Sequence, residues 1–235
     1  MKPDDARLAT GYVEFDSPKG YGKGRGYLAR PVNAKRRLPV VLVVHENRGL
    51  NPHIEDVTRR FALENFIAFA PDALFPLGGY PGNEDAARAE FAKLDQAKSR
   101  QDFHAAADLL RGIEGGNGKL GVTGFCYGGG IANLLASQRT DVRAAAPFYG
   151  QAAPLEAVPA IKAEMLVVLA DRDERINAGW LPFRDAMEKA GVHYSLYQPP
   201  GTQHGFHNDT TPRYDADAAA EAWRRTVALF DRRLR

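Results

Sequence analysis

GVTGFCYGGGIAN, residues 121–133, holds the single cysteine of a 235-residue chain. Small and β-branched residues lead into it, and IANLLASQ (131–138), apolar at helical spacing, leads away. Gly124, Cys126 and Gly128 fit a G-x-nucleophile-x-G corner, where a strand turns sharply into a helix and lifts one side chain clear. The glycines have a steric reason. At so tight a turn, side chains two residues either side of the nucleophile collide with each other or with the backbone. Gly129 and Gly130 extend the small-residue patch, which predicts a helix lying close on the sheet. The helix N-terminus beneath Cys126 offers N–H groups and a positive dipole end, and both favour a thiolate. Taken alone, the corner also accommodates a buried, inert cysteine. Its companions in the chain decide.

Outward from the corner, β-like segments fall at 11–15, 26–30, 38–45, 66–71, 120–125, 142–150, 164–170 and 193–199. Helical spacing occupies 54–65, 84–113, 131–138, 181–191 and 214–234. This alternation predicts βαβ units, hence an α/β fold with a mostly parallel central sheet flanked by helices. LPVVLVVH and EMLVVLA are continuously apolar, as strands covered on both faces should be. The first two strands read as an antiparallel hairpin on one edge. Its turn, GYGKGRG (20–26), is followed by another strand rather than a helix, so a solvated turn fits better than a phosphate loop. The stretch 72–84 is rich in proline and glycine and reads either as a pocket mouth or as a plain connection. No linker or repeat interrupts the chain, and one domain over residues 1–235 is expected.

Composition narrows the function. A hydrophobic share of 44% and a charged share of 26% suit a globular domain with a sizeable core. A formal charge of +2 is too small over this length to argue for nucleic acid or an anionic membrane. One cysteine supports neither an intrachain disulfide nor a cysteine-based zinc site. The longest apolar run, PVVLVV, is far short of the roughly 20 residues of a membrane span. The N-terminus has charges but no apolar stretch of a signal peptide. Cytoplasm is the default compartment, with export open if the start is trimmed. No metal and no cofactor are implied, and the sequence carries no signal of oligomeric state.

A nucleophilic thiol on such a corner needs a base and an acid later in the chain, in the order acid then histidine. The strand at 164–170 runs into DRDERINAGW, and that at 193–199 runs into PGTQHGFHND. Of six histidines, only His204 and His207 lie past the last strand. His204, nearer the strand end and flanked by Gln203 and Gly205, is the better base, and His207 reads as a neighbour. The acid is Asp171 or Asp173; Asp173 is preferred because Ile176 then returns the chain inward. Such a relay activates a thiol that is otherwise only a few per cent ionised at neutral pH. Two backbone N–H groups should hold the oxyanion, one from Tyr127 and one from the loop HENRGLNPH (45–53), with Asn47 the candidate donor.

The segments VVHENRGLNPHIEDVTRRFALENF, APDAL, GVTGFCYGGG, APFYG, LADRDERINA and QHGFHND, in that order, resemble the dienelactone hydrolase (carboxymethylenebutenolidase) family from about residue 38 onward. The resemblance implies an α/β-hydrolase fold, a Cys126–Asp173–His204 triad, and cleavage of a small ester or lactone through a cysteine acyl-enzyme. It also implies that Glu46 contacts the resting thiol and gates it, since a nearby carboxylate disfavours a thiolate. One position departs from the pattern. Where the family carries a substrate-binding arginine four residues after the catalytic histidine, this chain has Asn208. Arg48 and Arg213 are the candidate replacements. Two rival readings use the same corner: a thiol redox sensor, which lacks a resolving cysteine in the chain, and a catalytically silent binding module.

Overall fold

The computed structural model describes residues 4–235. Eight strands are present among these residues: β1 (Leu8–Ser17), β2 (Gly22–Pro31), β3 (Leu38–Val44), β4 (Ile67–Pro71), β5 (Gly116–Phe125), β6 (Val142–Phe148), β7 (Glu164–Val168) and β8 (Tyr194–Tyr197). The helices are α1 (Pro52–Leu63), α2 (Glu84–Phe91), α3 (Gln96–Gly112), α4 (Tyr127–Gln138), α5 (Glu174–Asn177), α6 (Trp180–Ala190) and α7 (Ala216–Leu234). The chain forms two compact units, one reaching Leu120 and one beginning at Gly121. Strand β5 runs through the division.

In the first unit the strand order is β1-β2-β4-β3-β5. β1 and β2 form the expected antiparallel hairpin, β2 joins β4 antiparallel, and β3 pairs with β4 in parallel. Every residue of β3 and of β4 is buried, which explains their unbroken apolar sequences. In the second unit the order continues β5-β6-β7-β8, with β6, β7 and β8 parallel.

Two expectations need correction. The hairpin turn is at 18–21, and Gly22, Gly24 and Gly26 belong to β2. Gly24 and Gly26 are there for space, because the rings of Phe15 and Phe69 occupy the positions their Cβ atoms would take. The helical stretch 84–113 is two helices. Asp95 breaks it by accepting from the N–H groups of Ala97 and Lys98, which starts α3 afresh. Short helical segments also stand at Phe75–Leu77, Leu155–Ala160 and Glu174–Asn177, too brief to show a sequence period.

Candidate active site

The second unit builds the corner as its sequence suggests. β5 ends at Phe125, Cys126 caps α4, and Tyr127 is the first helical residue. Cys126 sits at φ 55°, ψ −112°, a left-handed conformation that a side-chain-bearing residue adopts only under constraint. Two backbone bonds impose it: Cys126 N–H donates to Phe148 O (3.0 Å), and Gly130 N–H donates to Cys126 O (3.2 Å). A Cβ on Gly124 would stand 2.2 Å from Gly128 O, so glycine is obligatory there. Gly129 brings α4 onto the end of β6, with Phe148 O 2.3 Å from the place of its missing Cβ. Gly130 makes no such approach; its nearest neighbour would be at 3.6 Å. The first turn of α4, which opens at Tyr127, is the positive end of the helix dipole.

Asp173 and His204, the expected acid and base, come together on the loops that leave β7 and β8. His204 Nδ1 is hydrogen-bonded to Asp173 Oδ2. Asp173 is buried, caps α5, and its Oδ1 accepts from Ile176 N–H (3.4 Å), so Ile176 does help to turn the chain inward. A carboxylate on Nδ1 leaves Nε2 with the basic lone pair. Asp171 serves otherwise, accepting from Gly201 N–H (2.8 Å). His207 is buried and stacked on Phe125, with ring centroids 5.0 Å apart, which makes it part of the aromatic core.

Sequence reasoning missed two supports. Thr202 stitches the two loops: its hydroxyl accepts from Asp171 N–H (3.2 Å) and donates to Pro199 O (2.7 Å), while its carbonyl accepts from Arg172 N–H (2.9 Å). Tyr149, fully buried at φ 35°, lays its ring 5.0 Å from that of His204. It follows Phe148, whose carbonyl holds Cys126. The corner and the imidazole therefore flank one dipeptide, Phe148–Tyr149. The APFYG signature contained that signal, without any means of separating it from ordinary core.

Arg213 stands over Gly205, the residue after His204. Its guanidinium carbon and Nη2 lie 3.6 and 3.4 Å from where a Cβ on Gly205 would be. Asn208 is buried in a turn of its own making, its Oδ1 accepting from Thr210 N–H (3.0 Å) and Thr210 Oγ1–H (2.6 Å). That turn, closed by Asp215 N–H donating to Phe206 O (2.9 Å), carries the chain back so that Arg213 overlies Gly205.

Glu46, Asn47 and Arg48 belong to the first unit, in the loop after β3. Glu46 is buried. His45 fixes its backbone: Nε2 accepts from Ala73 N–H (3.1 Å), which leaves Nδ1–H to donate to Glu46 O (2.5 Å). Burial pushes the His45 imidazole down to about 4, so it is neutral at physiological pH. Arg48 is ion-paired with Glu84 (3.1 Å), a carboxylate that also accepts from Asn51 and Tyr80. The stretch 72–84 is thereby fastened to the loop after β3.

A profile of the dienelactone hydrolase family matches residues 25–234. The chain belongs to that family. Such dienelactone hydrolases cleave small esters and lactones, and this chain is an ester or lactone hydrolase on the α/β-hydrolase fold. Protein usf of Aquifex pyrophilus is 36% identical over 93% of this chain and 96% of its own length. A Synechocystis protein bearing the provisional name carboxymethylenebutenolidase is 32% identical, covering 89% of this chain and 92% of its own. Among solved structures, a provisionally named dienelactone hydrolase of Klebsiella pneumoniae superposes with a TM-score of 0.81 at 28% identity, over 95% of this chain and 99% of that one.

Proposed function

We propose that this dienelactone hydrolase works through a cysteine acyl-enzyme with the triad Cys126, His204 and Asp173. The carrying observation is the hydrogen bond from His204 Nδ1–H to a buried Asp173, on loops neighbouring a strained cysteine corner. In the reading, His204 Nε2 takes the Cys126 proton as the thiolate attacks the carbonyl carbon. The tetrahedral oxyanion is held by the N–H groups of Tyr127 and Asn47, a donor of this kind contributing about 3 kcal/mol. The carbon–oxygen bond to the leaving group breaks, the alkoxide takes the proton back from His204, and a thioester remains. Water, deprotonated by His204, then displaces the thiolate and releases the acid. Asp173 keeps the imidazole in the useful tautomer and stabilises its cationic form. The gating role of Glu46 rests on the family resemblance alone.

Arg213 is the proposed anion-binding residue in place of the family arginine. Its support is its closeness to Gly205, whereas Arg48 is already committed to Glu84. Stopped-flow hydrolysis of p-nitrophenyl acetate and cis-dienelactone by wild type and Cys126→Ala tests the nucleophile. Turnover lost in the variant supports the reading, and equal rates sink it. Arg213→Gln should raise KM for the carboxylate-bearing lactone roughly tenfold, as removing one charge-assisted contact does, and leave the uncharged ester unaffected.

A further inference from the structure

The first unit has a cavity of about 590 Å³ at the N-terminal ends of β3 and β4, opposite the end of β3 that carries the 45–51 loop. Four cationic side chains line it, Arg30, Lys35, Arg36 and Arg37, over a floor that includes the buried Leu38 and Ile67. No acidic side chain is among its lining residues. Two of the cations are anchored rather than loose: Arg30 Nη1 donates to Glu114 O (3.2 Å) and Arg37 Nε donates to Gly116 O (2.6 Å). The turn that receives them is itself pinned, with Leu38 N–H donating to Gly115 O (2.8 Å) and Gly116 N–H to Ile113 O (3.0 Å). Each guanidinium spends one N–H on a carbonyl and keeps others to donate.

We propose that this cavity binds a small ligand carrying two or more negative charges, of the phosphate-ester or diphosphate class, with an apolar portion against Leu38 and Ile67. Like charges gathered around one hollow raise its positive potential, and a multivalent anion is what such a hollow concentrates. The volume lies within the range of small-molecule sites. The site is independent of the triad and of its chemistry.

The test is isothermal titration of the full chain with sodium pyrophosphate at constant ionic strength. Saturable 1:1 binding is expected, weakened at least about tenfold in Arg30→Gln/Arg37→Gln by the loss of two charge-assisted donors. If that variant fails to fold, Lys35→Gln/Arg36→Gln decides, because both side chains are exposed and should cost affinity without disturbing the turn. Arg224→Gln, on α7, should bind as wild type does. No saturable heat, or equal affinity in the cavity variants, overturns the proposal. Co-sedimentation with phosphatidylglycerol vesicles in the absence of pyrophosphate binding also overturns it, in favour of a lipid headgroup.

Discussion

At the scale of single residues, the cysteine corner separates glycines that the sequence makes look alike. Gly124→Ala drives a Cβ to 2.2 Å from a backbone oxygen that has nowhere to go. It should cost roughly 1–3 kcal/mol of stability, the usual range for overpacking, and lower kcat as the corner shifts. Gly130→Ala meets nothing closer than 3.6 Å and sits inside α4. It should be neutral or stabilising by up to about 1 kcal/mol through helix propensity. Thermal unfolding of the pair reads both outcomes, and equal losses would refute the distinction. Asp173→Asn keeps the shape and loses the tautomer control, so kcat should fall by about four orders of magnitude, as in the serine triads, with folding intact by circular dichroism. The corner, Asp173 and His204 could be read as a string because each sits at a fixed offset from a strand end. Tyr149 and Thr202 could not, since their contribution depends on which loops meet.

Elements show the same division. β3 and β4 announce themselves by unbroken apolarity, and the antiparallel edge by two β-like segments on either side of a glycine-rich stretch. The break between α2 and α3 stayed hidden because both helices keep apolar residues at helical spacing across it, and only the capping of Asp95 separates them. Asp95→Ala should therefore destabilise by about 1 kcal/mol, the worth of an N-cap, measurable as a lower urea midpoint at unchanged slope. Thr202→Val removes the hydroxyl that ties the β7 and β8 loops. Its signature should be a fall in kcat larger than any change in KM, because it disturbs how His204 faces Asp173 rather than how substrate docks. A KM effect alone would argue that Thr202 lines the substrate path instead.

For the molecule as a whole, acid stability offers a check with a definite sign. Burial lowers His45 to about 4, from an ordinary value near 6.5. Between those values the unfolded chain binds the extra proton, so the His45 contribution is full above about pH 6.5 and is lost as pH falls. Burial raises Asp72 from 3.8 to about 6, against the hydrogen bonds from Leu74 and Leu50. There the folded chain holds the extra proton, so stability from Asp72 is present at low pH and lost as pH rises through about 6. The two oppose each other between about pH 4 and 6. Urea unfolding at pH 4.5 and 7.0 should show Asp72→Asn losing more stability on acidification than wild type, and His45→Gln losing less.

The left-handed backbone of Cys126 has a further consequence for how such a protein changes under selection. Every side chain at that corner carries a conformational cost that glycine would escape. A screen rewarding heat tolerance alone would therefore drift toward Cys126→Gly, and under the proposed thiol mechanism its hardier descendants would be inert.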